Sequence, residues 1–292
     1  MLNIDLMKIV NKNVLKQVYK KRQAWSKKYD FGHLLVIGGS KLYSGSPAFN
    51  ALAALRAGVD LVTIIAPEKT AYVIRSFKPD LIAFPIACDF FSKEFLSQVL
   101  EQTKNKSAVV IGGGMSRREE VLEFILEFLK EVELPLVVDA DAIHALAKEK
   151  KILKGKKAVI TPHSYEFFVL SGIKVSNDVD ERIKAVKEVA KELECTILLK
   201  GHFDVISDGK EVAINKTGSP YMTKGGLGDT LAGICGAYLA RGVEPFVAAQ
   251  AAAFVNGRAG EIAAKKFGES LLASDLIEEI PKVIKDFYTQ GK

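Results

Sequence analysis

The chain has 292 residues, of which 48% are hydrophobic and 26% charged, enough length and apolar content for a large buried core. Its net charge of +6 suits an anionic small ligand but is too diffuse for a nucleic-acid surface. Cys88, Cys195 and Cys235 are widely spaced and make no C-x-x-C pair, so they indicate neither a disulfide framework nor a zinc site and fit a reduced, cytoplasmic setting.

Residues 1–26 read as a basic arm carrying Lys16, Lys20, Lys21 and Arg22, with Lys27 and Lys28 just beyond. A solvated helix face is the ordinary reading of such a run; a polyanion-binding arm is the other. The early apolar residues are interrupted by Asp5, Lys8 and Asn11, which is not a signal-peptide pattern. Residues 27–292 contain no repeat, low-complexity tract or clear linker, and one domain is the economical reading.

Short apolar runs at 33–37, 61–65, 81–86, 108–111, 136–139, 158–161 and 196–200 predict strands. Helical patterns at 47–57, 93–101, 117–131, 140–147 and 179–193 fall between them. The alternation predicts an α/β fold with a largely parallel sheet and helices on both faces. Runs such as LLVI and LPLVV are continuously apolar, as expected of strands covered on both sides. The stretch FDVISDGKEVAI, 203–214, folds back at Asp208-Gly209 and predicts a hairpin, hence an antiparallel edge. After Asp229 the chain turns helical, at 230–241, 245–267 and about 273–287. The most apolar helical stretch, 247–255, is too short to span a bilayer.

The chemistry concentrates in residues 218–236, GSPYMTKGGLGDTLAGICG. Gly225, Gly226, Leu227 and Gly228 precede a helix whose first N–H groups lack internal partners, a natural anion site. Asp229 sits at that mouth. A carboxylate repels bound phosphate, so it makes sense there as a base for an attacking hydroxyl or as a magnesium ligand. Ligands of open parallel sheets bind at the strands' carboxyl ends. That rule selects the segments 38–47, 112–117, 139–141, 161–166 and 200–204. Within them, Gly112–Gly114 suit close approach to a ligand, and Ser116 follows in the same loop. Asp139 and Asp141 are helix caps or ligand contacts, and Lys200 reaches a phosphate or caps its strand. His163 lies in a strand-end loop with Glu166, whose carboxylate with Asp229 offers magnesium the hard oxygens it prefers. Neither a dinucleotide G-x-G-x-x-G nor a Walker G-x-x-x-x-G-K-[ST] is present.

GGLGDTLAG resembles the G-x-G-D anion hole of the ribokinase superfamily. KKYDFGHLLVIGGSKLYSGSPAFNALAALRAGVDLVT, LPLVVDADAIHAL, AVITPHSYEF and GSPYMTKGGLGDTLAG together resemble, in order, the blocks of the ADP- or ATP-dependent NAD(P)H-hydrate dehydratases. The resemblance implies a ribokinase-like three-layer α/β/α fold. It implies repair of (S)-NADHX and NADPHX: phosphorylation of the C6 hydroxyl by ADP or ATP with Mg2+, then loss of phosphate. Carried onto this sequence, Asp229 is the base. Ser46, Gly114 and His163, with Ser116 beside them, contact the hydrate. Lys200, Gly201, His202, Phe203, Asp204 and Gly228 contact the nucleotide. Residues 225–228 form the anion hole. Too few residues precede Lys27 for the epimerase domain of bifunctional members, so a separate epimerase is implied, as is a homo-oligomer, a tetramer by analogy. Several positions depart from the family pattern. Ser46 replaces alanine, GGGMS replaces G-P-G-L-G, Ser164 and Tyr165 replace Pro and Gly, and Asp204 and Lys224 replace threonines. Lys224 is then an additional phosphate contact. A small-molecule kinase of the thiazole or hydroxymethylpyrimidine type shares the anion hole and Asp229 and is the rival reading. A non-catalytic nucleotide-binding protein would not need Asp229.

Overall fold

The computed structural model describes residues 8–289; the first seven residues of the basic arm lie outside the described residues. Ten strands form one sheet: β1 (Lys8–Ile9), β2 (His33–Ile37), β3 (Leu61–Pro67), β4 (Ile82–Ile86), β5 (Ala108–Ile111), β6 (Leu136–Val138), β7 (Ala158–Ile160), β8 (Thr196–Leu199), β9 (Asp204–Ser207) and β10 (Val212–Asn215). Their spatial order is β1-β10-β9-β8-β7-β6-β5-β2-β3-β4. The seven strands from β4 to β8 are mutually parallel. The expected hairpin is β9–β10, with Val212 opposite Ser207 and Asn215 opposite Asp204. β1 pairs with the outer side of β10, an addition that two residues without periodicity do not announce.

The helices are α1 (Gly45–Arg56), α2 (Glu68–Phe77), α3 (Leu96–Glu101), α4 (Glu119–Glu131), α5 (Asp141–Leu146), α6 (Ser164–Ser171), α7 (Val179–Leu193), α8 (Leu227–Ala240), α9 (Pro245–Phe267) and α10 (Ala273–Thr289). Strand side chains alternate between two cores. Leu34, Val36 and Val110 pack with α1, α8, α9 and α10, whereas Leu35, Ile37 and Ile111 pack with α4, α5 and α7. That gives the expected three layers. Among the described residues no helix is long and apolar enough to cross a membrane.

Two helices, α2 and α6, were not expected. The α6 sequence SYEFFVLS has no helical apolar period; its start is set by His163, whose ring accepts from backbone N–H groups of the first turn. Within the basic arm, Lys12–Gln17 forms a 3-10 turn. Its Val14 and Leu15, with Val18 and Tyr19, are buried, while Lys16, Lys20 and Lys21 face solvent. Tyr19 Oη and Tyr238 Oη share a hydrogen bond of 2.8 Å, and Arg22 pairs with Asp60 at 2.9 Å. Apolar anchoring thus docks the described part of the arm and leaves Lys16, Lys20 and Lys21 in water.

One helix pair places the reactive loops. Gly233 of α8 lies against the backbone of Asn50 in α1: a Cβ there would stand 2.7 Å from Asn50 Cα and 2.8 Å from its carbonyl carbon. The missing side chain lets the two helices touch, which brings their N-termini, with Ser46 and Asp229, together.

Candidate active site

The chain runs outward from β2 to β3 and β4, then returns to place β5 on the other side of β2. At such a reversal the loops at the strands' carboxyl ends separate and leave a crevice. The loops after β2 and β5 meet there, with Gly39 N donating to Gly113 O at 2.8 Å. A Cβ on Gly113 would collide with Ser46 Oγ and lie 3.0 Å from Asp229 Oδ1. The glycine therefore makes room for a carboxylate and a hydroxyl.

Asp229 occupies the first turn of α8. The helix begins at Gly226, which has φ 90° and no side-chain cap bond, a conformation glycine adopts without strain. The first N–H groups of α8 consequently have no partner within the helix, and its dipole favours an anion at this end. Leu227 is buried and anchors the loop, while Gly225 is exposed. A Cβ on Gly228 would stand 3.4 Å from Lys200 Nζ, so an ammonium group lies directly against the glycine loop.

Ser46 Oγ donates to Asp229 Oδ1, and Asn50 Nδ2 donates to the Asp229 carbonyl at 2.7 Å. Burial pushes the Asp229 carboxyl up to about 6, with the Asp139 charge adding to the rise; the Ser46 hydrogen bond and the Lys200 charge oppose it. Lys200 Nζ lies 3.1 Å from Asp139 Oδ1 and 3.8 Å from Glu166 Oε2. Burial alone would depress the ammonium, but Asp139 and Glu166 outweigh it and hold the pKa above its usual value. Thr161 Oγ1 donates to the same Asp139 oxygen at 2.7 Å.

His163 is the N-cap of α6. Its Nδ1 accepts from Tyr165 N at 3.1 Å and Glu166 N at 3.2 Å, and Glu166 Oε2 accepts from His163 N at 2.8 Å. This reciprocal box satisfies the helix's orphan donors and turns half of the imidazole toward solvent. With Nδ1 accepting, the neutral ring carries its proton on Nε2, 3.3 Å from Glu166 Oε1. Ser116 has φ 93° and its N donates to Asp141 Oδ2 at 2.8 Å. Gly114, at φ 67°, precedes it in the same turn.

The segment from Lys200 to Asp204 closes on itself. Asp204 accepts from Gly201 N at 3.2 Å and from Asn215 Nδ2 at 2.9 Å; burial pushes its carboxyl up to about 6. Arg182 Nη2 donates to Lys200 O at 2.9 Å. His202 and Phe203, rings 4.4 Å apart, line a cleft of about 200 Å³ with Asn177, Val179, Arg182 and Val205.

The structure therefore joins Ser46, Lys200, Glu166, Gly228 and Asp229 around the α8 N-terminus. His202 and Phe203 stand apart, in the cleft beside α7, and Lys224 is exposed on the approach to the glycine loop. Asp139 is the counter-ion of Lys200, a role its cap-like position does not announce. Asn50 and Arg182 were missed. Asn50 had one signal, an amide inside the otherwise apolar run AFNALAAL; Arg182 looks like any surface arginine of a charged helix. Among the described residues no three His, Cys, Asp or Glu side chains are arranged to hold a metal ion. Glu166 is occupied by its capping bonds and by Lys200.

Comparison with known proteins shows the family of the chain. The profile of the NAD(P)H-hydrate dehydratase family matches residues 34–282. The chain is 44% identical over 268 residues to a bifunctional NAD(P)H-hydrate repair enzyme of Pyrobaculum aerophilum, covering 91% of this chain and 53% of that one; it thus spans about half the length of such bifunctional relatives. It is 36% identical to the ADP-dependent (S)-NAD(P)H-hydrate dehydratase of Nitrosopumilus maritimus, covering 94% of this chain and 96% of that one. The ADP/ATP-dependent NAD(P)H-hydrate dehydratase of Bacillus subtilis, co-crystallized with ATP/Mg2+, superposes with a TM-score of 0.85 at 26% identity, over 98% of this chain and 100% of that one. The fold is the ribokinase-like three-layer α/β/α sandwich, and the chain belongs to the NAD(P)H-hydrate dehydratase family.

Proposed function

We propose that this protein restores NADH and NADPH from their (S)-hydrates, using ADP or ATP as phosphate donor. The observation that carries the reading is the placing of the Asp229 carboxylate at an uncapped, glycine-rich helix N-terminus beside the partly buried Lys200. With its pKa raised to about 6, Asp229 is ionised at neutral pH yet basic enough to take a proton from an attacking hydroxyl. That hydroxyl is the one on C6 of the hydrated nicotinamide ring. As the proton passes to Asp229, the oxygen bonds to the nucleotide's terminal phosphorus and the bridging P–O bond breaks. The N–H groups of residues 225–228 and the Lys200 ammonium face the charge on the transferred phosphoryl group. Hydroxide is a poor leaving group and phosphate a good one, so loss of phosphate from C6 together with a proton from the neighbouring C5 then restores the ring double bond.

Ser46, Gly114, Ser116 and His163 line the hydrate side in this reading. Lys200 to Asp204 with Gly228 hold the nucleotide, its base against His202 and Phe203, and Lys224 adds a phosphate contact. A magnesium ion here is one carried by the nucleotide phosphates, since such ions keep several waters and need only one or two carboxylates. Glu166 and Asp139 are taken up by Lys200 and by their own hydrogen bonds, so the nucleotide would bring the ion, which would supply positive charge to the phosphates. Residues 27–292 act as one dehydratase domain in the cytoplasm, as a homo-oligomer, on the S form that an epimerase supplies.

The test is product identity. The protein, NADHX, magnesium and ADP or ATP should yield inorganic phosphate and the near-ultraviolet absorbance of reduced nicotinamide in equal amounts. A stable phosphorylated product without restored NADH would establish a kinase instead.

A further inference from the structure

Beside the Asp229 cluster lies a second group of polar side chains, built around Asp141. Both oxygens of this carboxylate are in use: Oδ2 accepts from Ser116 N at 2.8 Å and Oδ1 from Arg117 Nε at 3.1 Å. The first bond holds Ser116 at its left-handed φ. The second grips Arg117 by the inner nitrogen of its guanidinium, leaving the two terminal nitrogens with no hydrogen bond to another described residue. The Arg117 side chain is 55% exposed. Its neighbour is used quite differently: Arg118 donates to Glu120 Oε1 at 2.5 Å and covers the Phe90 ring at 4.7 Å. Of two adjacent arginines, one is spent on structure and the other is oriented with its donors free.

One turn along α5 from Asp141 stands His144. Its Nε2 is buried with no hydrogen-bond partner among the described residues. Buried polar atoms are nearly always paired, so this nitrogen marks a place where a partner from outside the chain belongs. Its ring lies 6.3 Å from that of Tyr165, which is itself 6.4 Å from the His163 ring. The group adjoins the reacting centre: Ser116, bonded to Asp141, stands three residues from Gly113, where a Cβ would lie 3.0 Å from Asp229 Oδ1.

We infer that Arg117 and His144 form a subsite for the pyrophosphate bridge of the dinucleotide hydrate, separate from the nucleotide donor's phosphates. The inference rests on the dehydratase reading and extends it to a part of the substrate that does not react. A guanidinium with Nε tied to a carboxylate presents its remaining donors in a fixed plane, which matches phosphate oxygens. With its proton on Nε2, the His144 imidazole would supply one more donor. Asp141 keeps the arginine in place without neutralising its outer face. Contacts to a non-reacting group act equally in the ground and transition states, so they lower KM and leave kcat alone.

Steady-state kinetics with NADHX and saturating ADP test this. Arg117→Ala should raise the KM for NADHX by about tenfold, the effect of one charged contact, with kcat and the KM for ADP within a factor of two. Arg117→Lys should recover part of the loss. His144→Phe, which keeps a ring of similar size, should raise the same KM. Hydrate of the reduced nicotinamide riboside, which has no phosphate, should be turned over with the same kcat/KM by wild type and Arg117→Ala. An unchanged NADHX KM in either Arg117→Ala or His144→Phe overturns the subsite while leaving the dehydratase reading intact. Wild-type protein that restores no NADH overturns both.

Discussion

Ser46 and Asp229, 183 residues apart in sequence, are joined by a hydrogen bond from the serine hydroxyl to the aspartate carboxylate. The bond ties the N-terminus of α1 to that of α8 and occupies one oxygen of the proposed base. Its energetic sense is definite. Burial raises the Asp229 carboxyl and the Ser46 bond lowers it, because a donor stabilises the ionised form.

Ser46→Ala should therefore raise the Asp229 pKa further. The base must be ionised to act, so kcat/KM falls as pH drops through its pKa, near 6 in the wild type. Loss of one hydrogen bond to a charged group should move that acid limb upward by about one pH unit. A pH–rate profile checks it; an acid limb that stays where it was would separate the serine from the base.

Lys200→Met should cost both stability and activity. The ammonium is the counter-charge for Asp139 and lies near Glu166; without it these buried carboxylates face each other unpaired, a loss of about 3 kcal/mol. The Lys200 charge also lowers the Asp229 pKa, so the acid limb should rise in this variant too. Denaturant unfolding and the pH profile read the two effects separately. A stable variant with an unshifted profile would contradict the arrangement.

Gly233→Ala should disturb the site from a distance of one turn of helix. The new Cβ would press on the Asn50 backbone, forcing α1 and α8 apart at about 1–3 kcal/mol. At about 2–4 °C per kcal/mol for a protein of this size, Tm should fall by several degrees. Activity should fall as well, since Ser46 and Asn50 no longer meet Asp229. Thermal unfolding followed with an assay at a permissive temperature tests both; unchanged Tm would show that the helices have slack.

The sheet was legible because its central strands are short, continuous apolar runs set between periodic helices; β2, β5 and α7 begin and end where the residues predict. The glycine loop and Asp229 were legible because few structures need three glycines and an acid at a helix mouth. What remained hidden were long-range partnerships. Nothing local says that Lys200 meets Asp139, 61 residues away, or that Asn50 reaches the Asp229 carbonyl. His163 illustrates a second limit. A histidine followed three residues later by glutamate reads as a loop with two polar ligands, yet the pair also caps a helix, and α6 went unseen because its apolar residues have no helical period. Asp204 shows a third: it opens β9 opposite Asn215 of β10, and the desolvation that raises its pKa is a property of the fold.

The central claim is that Asp229 takes the proton from the C6 hydroxyl. It is tested most directly by the initial rate of NADH recovery from NADHX, with magnesium and ADP or ATP, for wild type and Asp229→Asn. Asparagine keeps the shape of the side chain and removes its basicity. The account predicts that wild type restores NADH and that the variant, folded to the same Tm within a few degrees, is slower by about 10²–10⁴-fold, the usual worth of a general base. A folded Asp229→Asn variant that restores NADH at the wild-type rate would contradict it.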